Sequence, residues 1–246
     1  MIPRYALPPA LVSRVALAVA AGRPRSFRAD ARAALAGLRP PLKVLGGENL
    51  PAAGPCLLTM NHYYRPGFQA WWLALALSSV VPYEVHWVTT SAWTYTDPLR
   101  RLVFAPAMRW LLGRLARVYG FTAMPPDAAE VEARARAVRQ VLGWARRTPH
   151  GSIALAPEGR DAPGGVLQWP PSGAGRFIEH LAGLDLRLVP VGAYEADGSL
   201  CLRVGSPYAL ALTPGLSPRA RDRQVSEQVM RRVAAQLPPR LQGEFA

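Results

Sequence analysis

Apolar positions along the chain follow two rhythms, and the rhythms alternate. From residue 42 onward, compact apolar runs occur at 42–45, 56–60, 85–90, 118–124, 152–156, 186–194 and 200–204. Between them lie longer segments (68–77, 99–117, 128–147, 173–184 and 219–237) whose length and recurring apolar positions fit helices. The clearest is 128–147, where Val131, Ala135, Val138, Val141 and Leu142 share one face and arginines take the other. Pro66 stands where the first turn of the 68–77 helix would be. Short strands alternating with helices predict a largely parallel sheet covered on both faces. The turn at 195–199 then folds the last two strands into a hairpin.

Ahead of this pattern, residues 8–38 read as helix in two pieces, broken near 22–24. Asp30 is the expected N-cap of the second piece, and Pro40 with Pro41 stops it. The fold class expected is therefore α/β, with a mixed, mostly parallel central sheet flanked by helices. An N-terminal helical segment (1–41) precedes the α/β domain (42–246).

Composition narrows the choice of partners. The 246 residues are 50% hydrophobic and 18% charged, enough for a sizeable core in one domain. The net charge is +13, and Lys43 is the only lysine, so the positive charge is almost wholly arginine. Such a surface is drawn to polyanions, either nucleic acid or anionic lipid. No recognised nucleic-acid module or basic–aromatic strand platform accompanies the charge, so nucleic acid is not the expected partner. No stretch reaches the roughly 18 uninterrupted apolar residues that cross a bilayer. Residues 10–22 come closest, but Arg14 in the middle argues against a signal peptide. That segment reads either as a helix lying in a membrane interface or as an ordinary amphipathic helix packed on the domain.

Aromatic residues concentrate at Trp71, Trp72, Trp87, Trp93, Tyr95 and Trp110. They suit a core, an interfacial belt or an acyl-chain tunnel. The 99–117 helix mixes Arg100, Arg101, Arg109, Arg114 and Arg117 with large apolar residues, as an interfacial helix or a water-facing basic helix would. Cys56 and Cys201 lie far apart in apolar stretches and read as buried thiols. No Cys/His cluster has metal-ligand spacing, so no metal is expected. A glycine-rich phosphate loop is absent as well.

The most informative segment is 44–68, VLGGENLPAAGPCLLTMNHYYRPGF. A buried strand there delivers Asn61 and His62 to its carboxyl end, just before a helix, which is where open α/β sheets place ligands. A histidine in that position can act as a general base near neutral pH, or simply as a hydrogen-bonding structural residue.

The surrounding residues are similar to a known family. Gly-Glu-Asn-Leu-Pro (47–51), Gly54-Pro55, an apolar strand and Asn61-His62 resemble the first block of the glycerolipid acyltransferases (1-acylglycerol-3-phosphate O-acyltransferase-like). Residues 118–122 (VYGFT) resemble the second block, Pro157-Glu158-Gly159-Arg160 the third and Leu188-Val189-Pro190-Val191 the fourth. The resemblance implies transfer of a fatty acyl group from acyl-CoA or acyl carrier protein to a lysophospholipid-like or other hydroxyl acceptor. It implies His62 as general base, with Asn61 beside it in the catalytic block. Glu158, Gly159 and Arg160 of the third block would hold the acceptor and its phosphate; Arg65, inside the first block, and Arg117, just before the second, are further candidates for an anionic group by position. It further implies no cofactor beyond the acyl donor, and a peripheral place on the cytoplasmic face of a membrane.

Departures from the family pattern are specific. The family's first block runs Asn-His, four residues, Asp, but the fifth residue after His62 is Gly67. Glycine cannot orient an imidazole. Another carboxylate, Asp97 or Asp161, fills the space; or His62 works undirected or oriented by a backbone carbonyl; or the chain is a catalytically silent lipid-binding protein on the same scaffold. The second block has Met124-Pro125 where the family has a basic residue, and the third lacks the threonine before Arg160.

Overall fold

The computed structural model describes residues 3, 5–92, 97–127 and 129–246. Trp93 and Tyr95 of the aromatic concentration lie outside the described residues. The strands are β1 (Lys43–Leu45), β2 (Cys56–Met60), β3 (Val85–Thr90), β4 (Thr122–Met124), β5 (Ser152–Leu155), β6 (Arg187–Ala196) and β7 (Ser199–Val204). The α-helices are α1 (Pro9–Ala21), α2 (Phe27–Leu35), α3 (Trp71–Val80), α4 (Pro98–Tyr119), α5 (Val131–Arg147), α6 (Ala174–Ala182) and α7 (Pro218–Ala234).

One sheet joins the described strands in the order β1-β7-β6-β2-β5-β3-β4. Strands β2 to β6 run parallel, while β7 returns antiparallel to β6 as the hairpin and carries β1 alongside it. The expected mixed, mostly parallel α/β architecture is thus the observed one. β2 lies mid-sheet, which explains why all five of its residues are buried and four of them apolar. Cys56, Leu58 and Met60 enter the core on one face, and Leu57 enters a second core on the other. Leu11, Ala31, Ala34 and Leu38 from the first 41 residues join the first of these cores, with α2 packed along α3.

Three local expectations are corrected. The N-cap of α2 is Ser26, whose hydroxyl accepts from the Ala29 N–H at 2.9 Å. Asp30 is instead buried within the helix, paired with Arg25 and accepting from the Tyr119 hydroxyl at 3.0 Å. Residues 118–121 are not strand: α4 runs to Tyr119, and Gly120 at φ +69° closes it. The Phe121 N–H reaches back to the Ala116 carbonyl at 2.7 Å and the Gly120 N–H to Arg117, a Schellman cap that leaves strand only from Thr122. Finally, Pro66 does not open α3. The Phe68 N–H bonds the Arg65 carbonyl at 3.0 Å with Gly67 at φ +79°, so Arg65–Phe68 is a type II turn and the helix starts at Trp71.

Candidate active site

Strand register assembles the centre of the site. β2 and β5 pair with Leu57 opposite Ile153 and Thr59 opposite Leu155. Continuing that pairing past both strand ends sets His62 opposite Glu158, so two motifs remote in sequence become neighbours. Chain connections diverge here: β2 leads on toward β3, whereas β5 leads back across β2 to β6. The carboxyl ends of β2 and β5 are therefore the switch point where open sheets bind ligands.

Asn61 holds the end of β2. It is fully buried, and its amide donates to the Ala193 carbonyl at 2.8 Å and accepts from the Ala193 N–H at 2.7 Å. Both polar atoms are thus engaged by β6, which gives Asn61 the geometry of a brace under His62 rather than of a group facing a substrate.

Glu158 braces from the other side. Only 2% exposed, it accepts the His62 backbone N–H on Oε2 at 2.6 Å and the Gln168 N–H on Oε1 at 2.9 Å. Burial pushes its carboxyl above the ordinary range, and those two N–H groups pull it part of the way back. Both oxygens are engaged, so Glu158 shapes the loop between itself and Gln168 and pins it to His62.

That loop supplies a carboxylate to the imidazole. Asp161 Oδ1 lies 2.8 Å from His62 Nδ1, with the histidine side chain 23% exposed and the aspartate 53%. The oxygen sits off the line of the ring N–H, so the contact is an ion pair by distance and not yet an aligned hydrogen bond. No hydrogen bond engages Nε2 among the described residues. Of the readings opened by Gly67, the structure places a carboxylate at the ring, and it is Asp161. Gly67 itself sits in the left-handed turn, where an added Cβ would meet only Arg65 Nη1, at 3.8 Å.

The expected arginines separate. Arg160 is exposed beside Asp161 and makes no hydrogen bond or ion pair among the described residues. Gly159 is exposed next to it. Arg65 is taken by Glu195: its Nη2 donates at 2.8 Å and its Nε also bonds the same carboxylate. The Tyr5 hydroxyl adds a bond at 2.6 Å and the Tyr63 hydroxyl one at 3.2 Å. Burial alone would raise the Glu195 carboxyl, but these donors together outweigh it and hold it below its ordinary range. The same surroundings push the Tyr63 hydroxyl up to about 12, burial first. Arg117 is exposed in the last turn of α4, ahead of edge strand β4, whereas His62 follows the carboxyl end of mid-sheet β2. Parallel strands carry the two toward opposite ends of the sheet.

Sequence reasoning missed the Tyr5–Tyr63–Arg65–Glu195 cluster, because its members span 190 positions and follow no local pattern. Of the aromatics, Trp72 and Trp87 are core residues, while Trp71 and Trp110 face outward. The two cysteines are buried and free, and no group of three metal-binding side chains forms among the described residues.

No protein-family model and no curated protein sequence matches the chain. Among solved structures, it is similar to the 1-acyl-sn-glycerophosphate (LPA) acyltransferase PlsC from Thermotoga maritima, with a TM-score of 0.43 and 15% identity. The match covers 79% of this chain and 71% of that one. A superposition this loose leaves substrate and activity to be argued from the site itself.

Proposed function

We propose that the chain is an O-acyltransferase that moves a fatty acyl group from a thioester donor to the hydroxyl of an amphiphilic acceptor, with His62 as general base. The observation that carries this reading is the His62 constellation: Nδ1 at 2.8 Å from Asp161, main-chain N–H held by buried Glu158, and Nε2 unengaged. The resemblance of the Asn61-His62 and Pro157–Arg160 segments to the glycerolipid acyltransferases supports it.

In the reaction, Nε2 takes the proton of the acceptor hydroxyl while its oxygen attacks the thioester carbonyl carbon. Asp161 stabilises the imidazolium that results, as the carboxylate of a triad does. Collapse of the tetrahedral intermediate breaks the carbon–sulfur bond, and the imidazolium returns the proton to the departing thiolate. The products are the ester and the free thiol. Arg160, exposed and without a hydrogen-bond or ion-pair partner among the described residues, is placed to meet an anionic group on the acceptor. The donor is an acyl-CoA or acyl carrier protein thioester and the acceptor a lysophospholipid-like alcohol, met by a peripheral protein at the cytoplasmic face of a membrane.

A second reading, a silent lipid-binding protein on the same scaffold, is favoured by one feature. The His62–Asp161 contact is off-axis and half open to solvent. Incubation with acyl-CoA and a panel of lysophospholipids, followed by mass spectrometry, separates the two. A new diacyl product that disappears in His62→Ala supports transfer. No product with any acceptor, together with lipid binding that survives His62→Ala, supports the silent protein.

A further inference from the structure

Among the described residues, most of the large apolar side chains left exposed belong to two packed helices and the segment entering them. Leu7, Val12 and Leu17 lie on or just before α1, and Leu102, Phe104 and Trp110 lie on α4. The helices touch through Ala18 and Val19 of α1 against Val118, with Val15, Leu111 and Leu115 around them. Those contacts involve only the second half of α4. In its first half, Leu102 is 77% exposed and Phe104 56%, although two helix positions stand about 200° apart. The directions in which Leu102 and Phe104 point are therefore both open among the described residues. Trp110, 58% exposed and about two turns beyond Leu102, extends the apolar surface.

Charge on these helices has one sign. α1 and α4 contain Arg14, Arg100, Arg101, Arg109, Arg114 and Arg117 and not one aspartate or glutamate. Among the described residues, Arg109 pairs with Glu130 at 3.3 Å. Neither helix is long and apolar enough to cross a bilayer. Exposed aromatic and aliphatic side chains, in a helix whose sequence interleaves them with arginines, suit the headgroup–acyl boundary of an anionic bilayer.

We infer that the first half of α4, with the outer face of α1, is the surface that docks the protein on anionic phospholipid bilayers. α4 begins at Pro98, soon after β3 ends at Thr90, so its first turns stand at the carboxyl end of the parallel strands. His62 lies at that same end, so docking there turns the site toward the source of an amphiphilic acceptor. The inference deepens the membrane location proposed above, but it rests on exposure and charge and not on turnover.

The test is co-sedimentation with vesicles of phosphatidylcholine alone and of phosphatidylcholine with phosphatidylglycerol. The wild type should bind the anionic vesicles, lose affinity as salt rises, and bind the neutral ones poorly. The triple variant Leu102→Ser, Phe104→Ser, Trp110→Ser should lose about a hundredfold in affinity. Leu45→Ser, at an exposed apolar residue on β1 at the far edge of the sheet, should bind like wild type. Circular dichroism checks that each variant is folded. Undiminished binding by the triple variant overturns the inference, as does equal binding to neutral vesicles. A wild-type dimer that the triple variant abolishes, without vesicle binding, also overturns it and assigns the surface to a second copy of the chain. None of these outcomes touches the His62 chemistry, which is read by product formation.

Discussion

Replacing Asp161 by asparagine removes one negative charge beside the imidazole and keeps the side chain's size. The effect to expect follows from where the pair sits. Unit charges about 4 Å apart interact by about 1 kcal/mol in bulk water and about 4 kcal/mol at an effective dielectric near 20. With Asp161 53% exposed and His62 23%, the pair lies nearer the watery limit. A loss of about 1–2 kcal/mol of imidazolium stabilisation is expected, or about five- to thirtyfold in kcat. This is well short of the roughly 10⁴ lost when the buried carboxylate of a serine-protease triad becomes an amide. The assay is release of free thiol from acyl-CoA with a saturating lysophospholipid acceptor, with a thermal melt showing that the fold is unchanged. A change of less than twofold would refute the coupling of Asp161 to His62. A loss near 10⁴ would refute the solvent-screened account of it.

Other consequences reach different parts of the structure. Asn61→Ala strands the buried N–H and carbonyl of Ala193 and should cost about 2–4 kcal/mol of stability, read as a lowered Tm. Gly67→Asp puts a side chain at φ +79° and aims it at Arg65, so it should cost about 1–2 kcal/mol and leave the rate unchanged; a faster enzyme would contradict that placement. Burial lowers the buried His86 from its ordinary 6.5 to about 4, so the unfolded chain takes up the proton first as the medium is acidified. Its contribution, on the order of 3 kcal/mol, is present above pH ~6.5 and is lost as pH falls through that value toward ~4. Acid unfolding followed by circular dichroism should show this part of the slope vanish in His86→Phe.

Strands were the most legible part of the sequence. The runs 56–60 and 85–90 are β2 and β3 to the residue: β2 is buried throughout and β3 over its first half, so both are rich in apolar and β-branched residues. Segment ends fared worse where a single glycine or serine decided them. Gly120 converts an apolar 118–121 into a helix cap, and Ser26 displaces Asp30 as N-cap. At the site, the placement of His62 at a strand end was readable from one segment. Its opposition to Glu158 depends on strand pairing, which no local pattern encodes. Arg65 illustrates the same limit. Its spacing invites a phosphate, while its partner Glu195 lies 130 positions away.

The central claim is that His62 takes the proton of the acceptor hydroxyl. The most direct measurement is the acyl-transfer rate of the wild type against His62→Gln. Glutamine keeps similar bulk and the main-chain bond to Glu158 but cannot accept that proton. The account expects measurable transfer by the wild type, and a loss of about 10²–10⁴ in kcat for the variant with its melting temperature unchanged. Transfer by His62→Gln at half the wild-type rate or more, or none by the wild type with any thioester and acceptor, would contradict it.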